Sequence, residues 1–457
     1  MAVTNIPAGV RHIHFIGIGG SGMSPLAEIM LEKGFKVTGS DISESDNVVR
    51  LRSKGVCVYS RQTAENLQGA QLVVYTAAVR ADNPELAAAR AQGLPVWERA
   101  ALLGWITQQF PHTIAVCGTH GKTSTTSMIS QILLQAGKDP TIFIGGRLPL
   151  INANGRAGKS DLMVCEACEF QDHYQQLSPD TVVLLNIDDD HLDYFKTVER
   201  LIQSFARFAG KATGKVVFNA DDANTCAALA DLPGEKKISY GLTGTADFTA
   251  ADLRMEHGYG VYTLLYKKTP QAEIRLGIPG RHNVCNSLAA ATATFQNGAS
   301  FGQIAEGIAS FHGAGRRFEK VDECRGITII DDYAHHPTEI KATIQTAKEM
   351  NFRRVIAVFQ PFTYSRTVLL LDDFAEALSL ADEALVSDIM ASRETNEWGV
   401  TSEQITQRMK NGRTVPTFEQ ICDDLLPRLR PGDLVLTMGG GNVYLCARML
   451  AKRLREA

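Results

Sequence analysis

Ala115-Val-Cys-Gly-Thr-His-Gly-Lys-Thr-Ser124 decides the reading of this chain. The apolar run Thr113 to Cys117 predicts a buried strand, and 124–134 predicts a helix. Between them lies the loop Gly118-Thr119-His120-Gly121-Lys122-Thr123. A strand, a glycine loop and a helix make a phosphate cradle. Backbone N–H groups at the helix start attract the anion, Lys122 neutralises it, and Thr123, followed by Ser124, offers a hydroxyl to a divalent cation. The usual pattern is G-x-x-x-x-G-K-[ST], but Val116 stands where its first glycine belongs, so the loop is two residues short.

A second glycine motif opens the chain. The strand His12 to Ile16 runs into Gly17-Ile-Gly-Gly-Ser-Gly22, which fits G-x-G-x-x-G at Gly17, Gly19 and Gly22. A helix over 24–33 and a strand over 36–38 follow, ending in Ser40-Asp41. Asp41 lies about 20 residues past the glycines, where a nucleotide-binding βαβ unit places a ribose-binding acid. Another apolar run, Leu72 to Thr76, ends in Ala77-Ala78, small residues suited to close ligand approach.

Strands and helices alternate along the remainder, which predicts α/β architecture with mostly parallel sheets and ligands at the strands' carboxyl ends. Strands are expected at 162–165, 181–185 and 215–218, then at 327–330, 355–359, 384–387 and 434–437. The alternation over 246–278 predicts an antiparallel hairpin, and Ser287 to Phe295 a helix. Three segments result: 1–110, Rossmann-like; 111–318, a central phosphate-loop ATPase-like domain; and 319–457, again Rossmann-like.

Acidic and imidazole groups gather at the predicted strand ends. Glu166 to Glu169 follows one strand, and Asp188-Asp-Asp-His191 the next. Thr123 and Glu169 beside a triphosphate can share Mg²⁺ or Mn²⁺, with His191 holding a second ion. Asp331-Asp332-Tyr333-Ala334-His335-His336-Pro337 follows a later strand, where paired His and Asp can form a proton relay or a ligand clamp. Arg366 can pair with a carboxylate. Cys165-Glu-Ala-Cys168 is read as two small apolar residues closing a buried strand.

The 457 residues carry a net charge of −4, with no basic stripe for nucleic acid, and no apolar run reaches membrane-spanning length. Nine scattered cysteines point to a reducing cytoplasm rather than a disulfide framework.

Five motifs together resemble the Mur ligases: Gly17-Ile-Gly-Gly-Ser-Gly-Met-Ser24, Gly118–Thr123, Asn186-Ile-Asp-Asp-Asp-His191, His282-Asn283 with Asn286, and Asp331-Asp-Tyr-Ala-His-His-Pro-Thr-Glu339. The shortened phosphate loop is that family's own form. The resemblance, in its alanine-adding branch, implies ATP-dependent ligation of L-alanine to the carboxylate of UDP-N-acetylmuramate in peptidoglycan synthesis, hence a role in cell shape and division. It implies that Gly19, Gly20, Ser21, Gly22, Met23, Ser40, Asp41, Thr76 and Ala77 hold the UDP-sugar. ATP would meet the loop from Gly118 to Ser124, with His282, Asn283 and Asn286 at the adenine, Arg317 at the phosphates and Asp332 at the ribose. Tyr333, His335 and Arg366 would line the amino-acid pocket, and Lys122, His191, His335 and Arg366 would carry the catalysis. A monomer or homodimer is expected.

The sequence also departs from the family. Many relatives carry E-A-D-E-S-D where this chain has Glu166-Ala-Cys-Glu-Phe-Gln171, and Phe362-Thr363 replaces a more polar pair. No lysine lies between Lys196 and Lys211, as expected for the alanine-adding branch. Two alternatives stand beside this reading: a ligase attaching a tripeptide to the same sugar nucleotide, and an NAD-dependent oxidoreductase built on Gly17–Gly22.

Overall fold

The computed structural model describes residues 5–189, 192–392 and 394–456. Its strands form three sheets. The first has five parallel strands in the order Cys57–Tyr59, Lys36–Ser40, His12–Ile16, Leu72–Tyr75, Val96–Glu98. Its registers pair Ile16 with both Ser40 and Tyr75, so three strand ends finish level and the Gly17 loop leaves from their middle. The alternation of His12–Ile16 puts Ile13 and Phe15 into the core under the helix Ser24–Glu32.

The second sheet has ten strands, centred on His112–Cys117 between Thr181–Leu184 and Leu162–Glu166, both parallel to it. Cys117 pairs with Leu184, and Val116 with Glu166. That register sets the phosphate loop between the acidic strand end on one side and Asn186–Asp188 on the other. The third sheet runs Glu319–Cys324, Ile327–Asp332, Asp433–Met438, Arg354–Phe359, Glu383–Val386, Gly412–Thr414. Met438 pairs with Asp332 and Phe359, so Tyr333, Gln360 and Gly439 leave the sheet together.

The chain divides into two compact units. One comprises Met1–Ala251, Thr263–Ile274 and Cys285–Phe311; the other comprises Asp252–Tyr262, Arg275–Val284 and His312–Ala457. Within the first unit, helices beside the first sheet touch segments beside the second directly. Arg50 donates to the Asn152 carbonyl at 2.7 Å, and a Cβ on Gly104 would stand 2.5 Å from the Gln176 carbonyl oxygen.

Three expectations are corrected. The helix after the phosphate loop begins at Lys122, not Ser124, because left-handed Gly121 (φ +83°) is its N-cap. The helix expected over 287–295 begins earlier, at Arg281, and so takes in His282, Asn283 and Asn286. The expected hairpin over 246–278 is instead three neighbouring strands, Phe248–Glu256, Tyr259–Tyr266 and Thr269–Pro279, since both of its turns reverse the chain.

Candidate functional site

Two glycines shape the phosphate loop. A Cβ on Gly118 (φ +135°) would lie 3.0 Å from Leu185, and one on Gly121 would lie 2.5 Å from Asn286 Oδ1. Asn286 therefore sits against the loop. The loop is latched to the neighbouring strand end. Thr119 N donates to the Asn186 carbonyl at 3.0 Å, His120 N donates to Asn186 Oδ1 at 2.8 Å, and Asn186 Nδ2 returns a bond to the His120 carbonyl. Asp188 N donates to the Thr119 hydroxyl, and His120 Nε2 stands 3.0 Å from Asp188 Oδ2. That hydrogen bond is the main reason the Asp188 carboxyl is held below its ordinary range.

Lys122 Nζ donates to the carbonyls of Gly118 (2.6 Å) and Thr119 (2.9 Å) and to Glu169 (2.9 Å). Burial alone would push the ammonium down, but Glu169 outweighs it and the lysine titrates above its ordinary value. Thr123 Oγ1 donates to Glu166 at 3.0 Å, not to Glu169, and the same Glu166 oxygen accepts from Gly145 N. Thr123, Glu166 and Glu169 supply only oxygen donors, the set that Mg²⁺ prefers. His191, expected as a metal ligand, lies outside the described residues.

A cavity of about 720 Å³ opens beside the first loop, lined by Gly17, Gly19, Gly20, Asp41, Thr76 and Asn83 among others. Asp41 Oδ2 accepts from Gly19 N at 2.8 Å, and its other oxygen accepts from Ser43, so the acid braces the loop it faces. Two residues assigned here behave differently. Ser40 is fully buried and donates to Glu85, and Met23 is in the core, because their strand and loop positions turn them inward. Gly20 and Ser21 are exposed, and Ala77 is half-buried.

The second unit orders its own cluster. Asp332, 8% exposed, accepts from Phe318 N and Ala334 N, both at 2.7 Å. Burial pushes its carboxyl up to about 6, against the pull of Arg317. His336 caps the helix Pro337–Glu349 and forms a capping box with Glu339. His335 Nδ1 lies 3.2 Å from Glu339 and 3.1 Å from the Tyr333 carbonyl, and its ring meets Tyr333 edge-on. A Cβ on Gly440 would touch the rings of both His335 and Phe362 at 3.4 Å. Thr363 holds φ +69°, and Arg366 is half-buried on the helix Tyr364–Leu369. Asn283 Nδ2 is bonded to the Pro279 carbonyl, and the exposed His282 lies in the first turn of its helix.

Sequence reading had no role for Arg316, whose guanidinium bonds Asp331 and the carbonyls of Gly439 and Gly441. It also missed Glu394, which accepts from Ser365 N and Oγ. Only the Arg316-Arg317 doublet hinted at the first, and nothing local marks the second.

Three family models cover nearly the whole chain: Mur ligase family, catalytic domain, over 12–111; Mur ligase middle domain over 116–294; and Mur ligase, glutamate ligase domain, over 316–441. The chain belongs to the Mur ligase family. Among Mur ligases, it is 43% identical to UDP-N-acetylmuramate–L-alanine ligase of Acetivibrio thermocellus, over 98% of this chain and 97% of that one. The crystal structure of UDP-N-acetylmuramate-alanine ligase from Thermotoga maritima superposes with TM-score 0.84 at 28% identity, covering 97% of this chain and 99% of that one. A murein peptide ligase from Psychrobacter arcticus gives TM-score 0.74 at 25% identity, covering 98% and 99%. The three-part α/β fold is thus the Mur ligase fold. Among the described residues, no helix is long and apolar enough to cross a membrane.

Proposed function

We propose that this Mur ligase joins L-alanine to the carboxylate of UDP-N-acetylmuramate at the expense of ATP, in peptidoglycan synthesis. The observation that carries the reading is the pairing of two glycine loops in one unit. One has its own cavity, and the other holds a buried lysine between carbonyls and Glu169. One loop serves the sugar nucleotide and the other ATP. A hydride-transfer enzyme has no use for the second. The relatives named for L-alanine ligation, similar over essentially the full chain, support the same choice.

The reaction follows from that pairing. A substrate carboxylate oxygen attacks the γ-phosphorus of ATP. The bond to the bridging oxygen breaks, ADP departs with that electron pair, and an acyl phosphate remains. The amine of L-alanine adds to the acyl carbon and loses a proton, and the tetrahedral adduct collapses with loss of phosphate. A carboxylate is a poor electrophile, and phosphorylation supplies its leaving group. Lys122 offsets charge on the moving phosphoryl group. Magnesium, when bound, supplies further positive charge there, and Thr123, Glu166 and Glu169 are its proposed holders, with His191 for a second ion. In the second unit, Asp332 and Arg317 are assigned to the nucleotide, and Tyr333, His335 and Arg366 to the amino acid.

The test is phosphate release from ATP with UDP-N-acetylmuramate, offered L-Ala, Gly, L-Ser or the recycled tripeptide. L-Ala should give the largest kcat/KM. Preference for the tripeptide would replace this reading with the recycling ligase, and NADH binding without ligation would end both.

A further inference from the structure

Arg99 begins the helix Arg99–Thr107, directly after the edge strand Val96–Glu98 of the first sheet. Its guanidinium lies over the last glycine of the first loop. A Cβ on Gly22 would stand 2.9 Å from Arg99 Nη1 and 3.2 Å from its Cδ. Gly22 and the Arg99 guanidinium are thus in close contact. The same charge is felt at Cys168 and His173, on the segment that follows the acidic strand end Glu166–Glu169. Arg99 thus lies between the first glycine loop and the strand end that meets the phosphate loop.

Among the described residues, no carboxylate pairs with the Arg99 guanidinium, and nothing hydrogen-bonds with it. The carboxylate next to it in sequence, Glu98, is taken up by His173 at 3.2 Å. A half-buried guanidinium with five donors and no partner is built to receive an anion, and its planar fork matches carboxylate and phosphate.

We infer that Arg99 binds an anionic group of the sugar nucleotide as it passes from the first loop toward the phosphate loop. The inference rests on the proposed sugar-nucleotide reading of the first loop. Two groups on that substrate share the chemistry: the diphosphate, cradled by the loop, and the carboxylate that is to be phosphorylated.

Calorimetric titration of the full chain separates them. UDP-N-acetylmuramate, UDP-N-acetylglucosamine and UDP are each titrated into wild type, Arg99→Ala and Arg99→Lys. Arg99→Ala should weaken UDP-N-acetylmuramate about tenfold or more, and Arg99→Lys should fall between, since an ammonium keeps the charge but loses the fork. Weakening of all three ligands assigns the diphosphate; weakening of UDP-N-acetylmuramate alone assigns the carboxylate. In turnover, KM for the sugar nucleotide should rise while KM for ATP stays put, a split that general loosening does not give. Should Arg99→Ala fail to fold, Arg99→Met, which keeps the stem packed on Gly22, takes its place. Wild-type affinity for all three ligands in a folded variant overturns the inference. If wild type binds none of them, the sugar-nucleotide reading has failed as well.

Discussion

Lys122 and Glu169 form an ion pair at 2.9 Å with their side chains only 13% and 2% exposed. The pair joins the helix after the phosphate loop to the end of the neighbouring parallel strand. Both side chains are largely buried, so removing either takes the opposing charge away from the other.

Lys122→Ala should therefore act twice. Loss of one preorganised charge at the transferring group typically costs on the order of 10²–10³ in kcat. The Glu169 carboxylate left behind, buried without its partner, should also destabilise the first unit by about 3–5 kcal/mol. Phosphate release at saturating substrates reads the first effect, and urea unfolding followed by circular dichroism reads the second. A folded variant turning over at the wild-type rate would refute the ATP-site assignment.

Thr123→Ala, Glu166→Gln, Glu169→Gln and His191→Ala should each raise the Mg²⁺ concentration for half-maximal activity. Thr123 and Glu166 share a hydrogen bond, so their double variant should be less than additive. Glu169→Gln should lose kcat as well, through Lys122. Mg²⁺ titrations decide it: an unchanged requirement in all four variants removes these residues as the metal's holders.

Asp332 gives a pH signature with a definite sign. Its carboxyl titrates near 4 in an unfolded chain and at about 6 when folded. The folded state therefore holds that proton more tightly. The resulting stability is complete below pH ~4 and lost as pH rises through ~6, up to about 3 kcal/mol in all. Asp332→Asn lacks this slope. Thermal unfolding of both proteins from pH 4 to 7 should show the wild-type advantage shrinking as pH rises, then levelling. A gap that does not change with pH contradicts the shift.

Gly19→Val should raise KM for UDP-N-acetylmuramate and leave KM for ATP near wild type. A Cβ there would stand 2.7 Å from Val48 Cγ2 and 2.9 Å from Asp41 Oδ2, so the loop must move off the acid that braces it. Initial rates against each substrate in turn measure the split. Equal increases in both constants would mean a general collapse of the unit instead.

The strand–loop–helix units were legible because their signals are local. His12–Ile16 and His112–Cys117 are apolar runs ending in glycine, and both loops lie where those runs placed them. What sequence spacing could not show is which carboxylate meets which partner. Glu166 and Glu169 stand three apart, and only the parallel register of Leu162–Glu166 against His112–Cys117 sends the first to Thr123 and the second to Lys122. Ser40 shows a related limit: it stands beside Asp41 in sequence, but it is fully buried in a strand covered on both faces, and its hydroxyl donates to Glu85. The Arg316 latch spans more than a hundred residues to Gly439 and Gly441, a distance no local pattern covers.

The packing of Gly104 on the Gln176 carbonyl, with Arg50 on that of Asn152, makes the two glycine loops parts of one solid piece. Their spacing is then a built-in ruler. With the proposed sugar-nucleotide and ATP sites on those two loops, an acceptor would be measured from its diphosphate to its carboxylate before any chemistry starts, and a sugar acid of the wrong reach would be rejected by length.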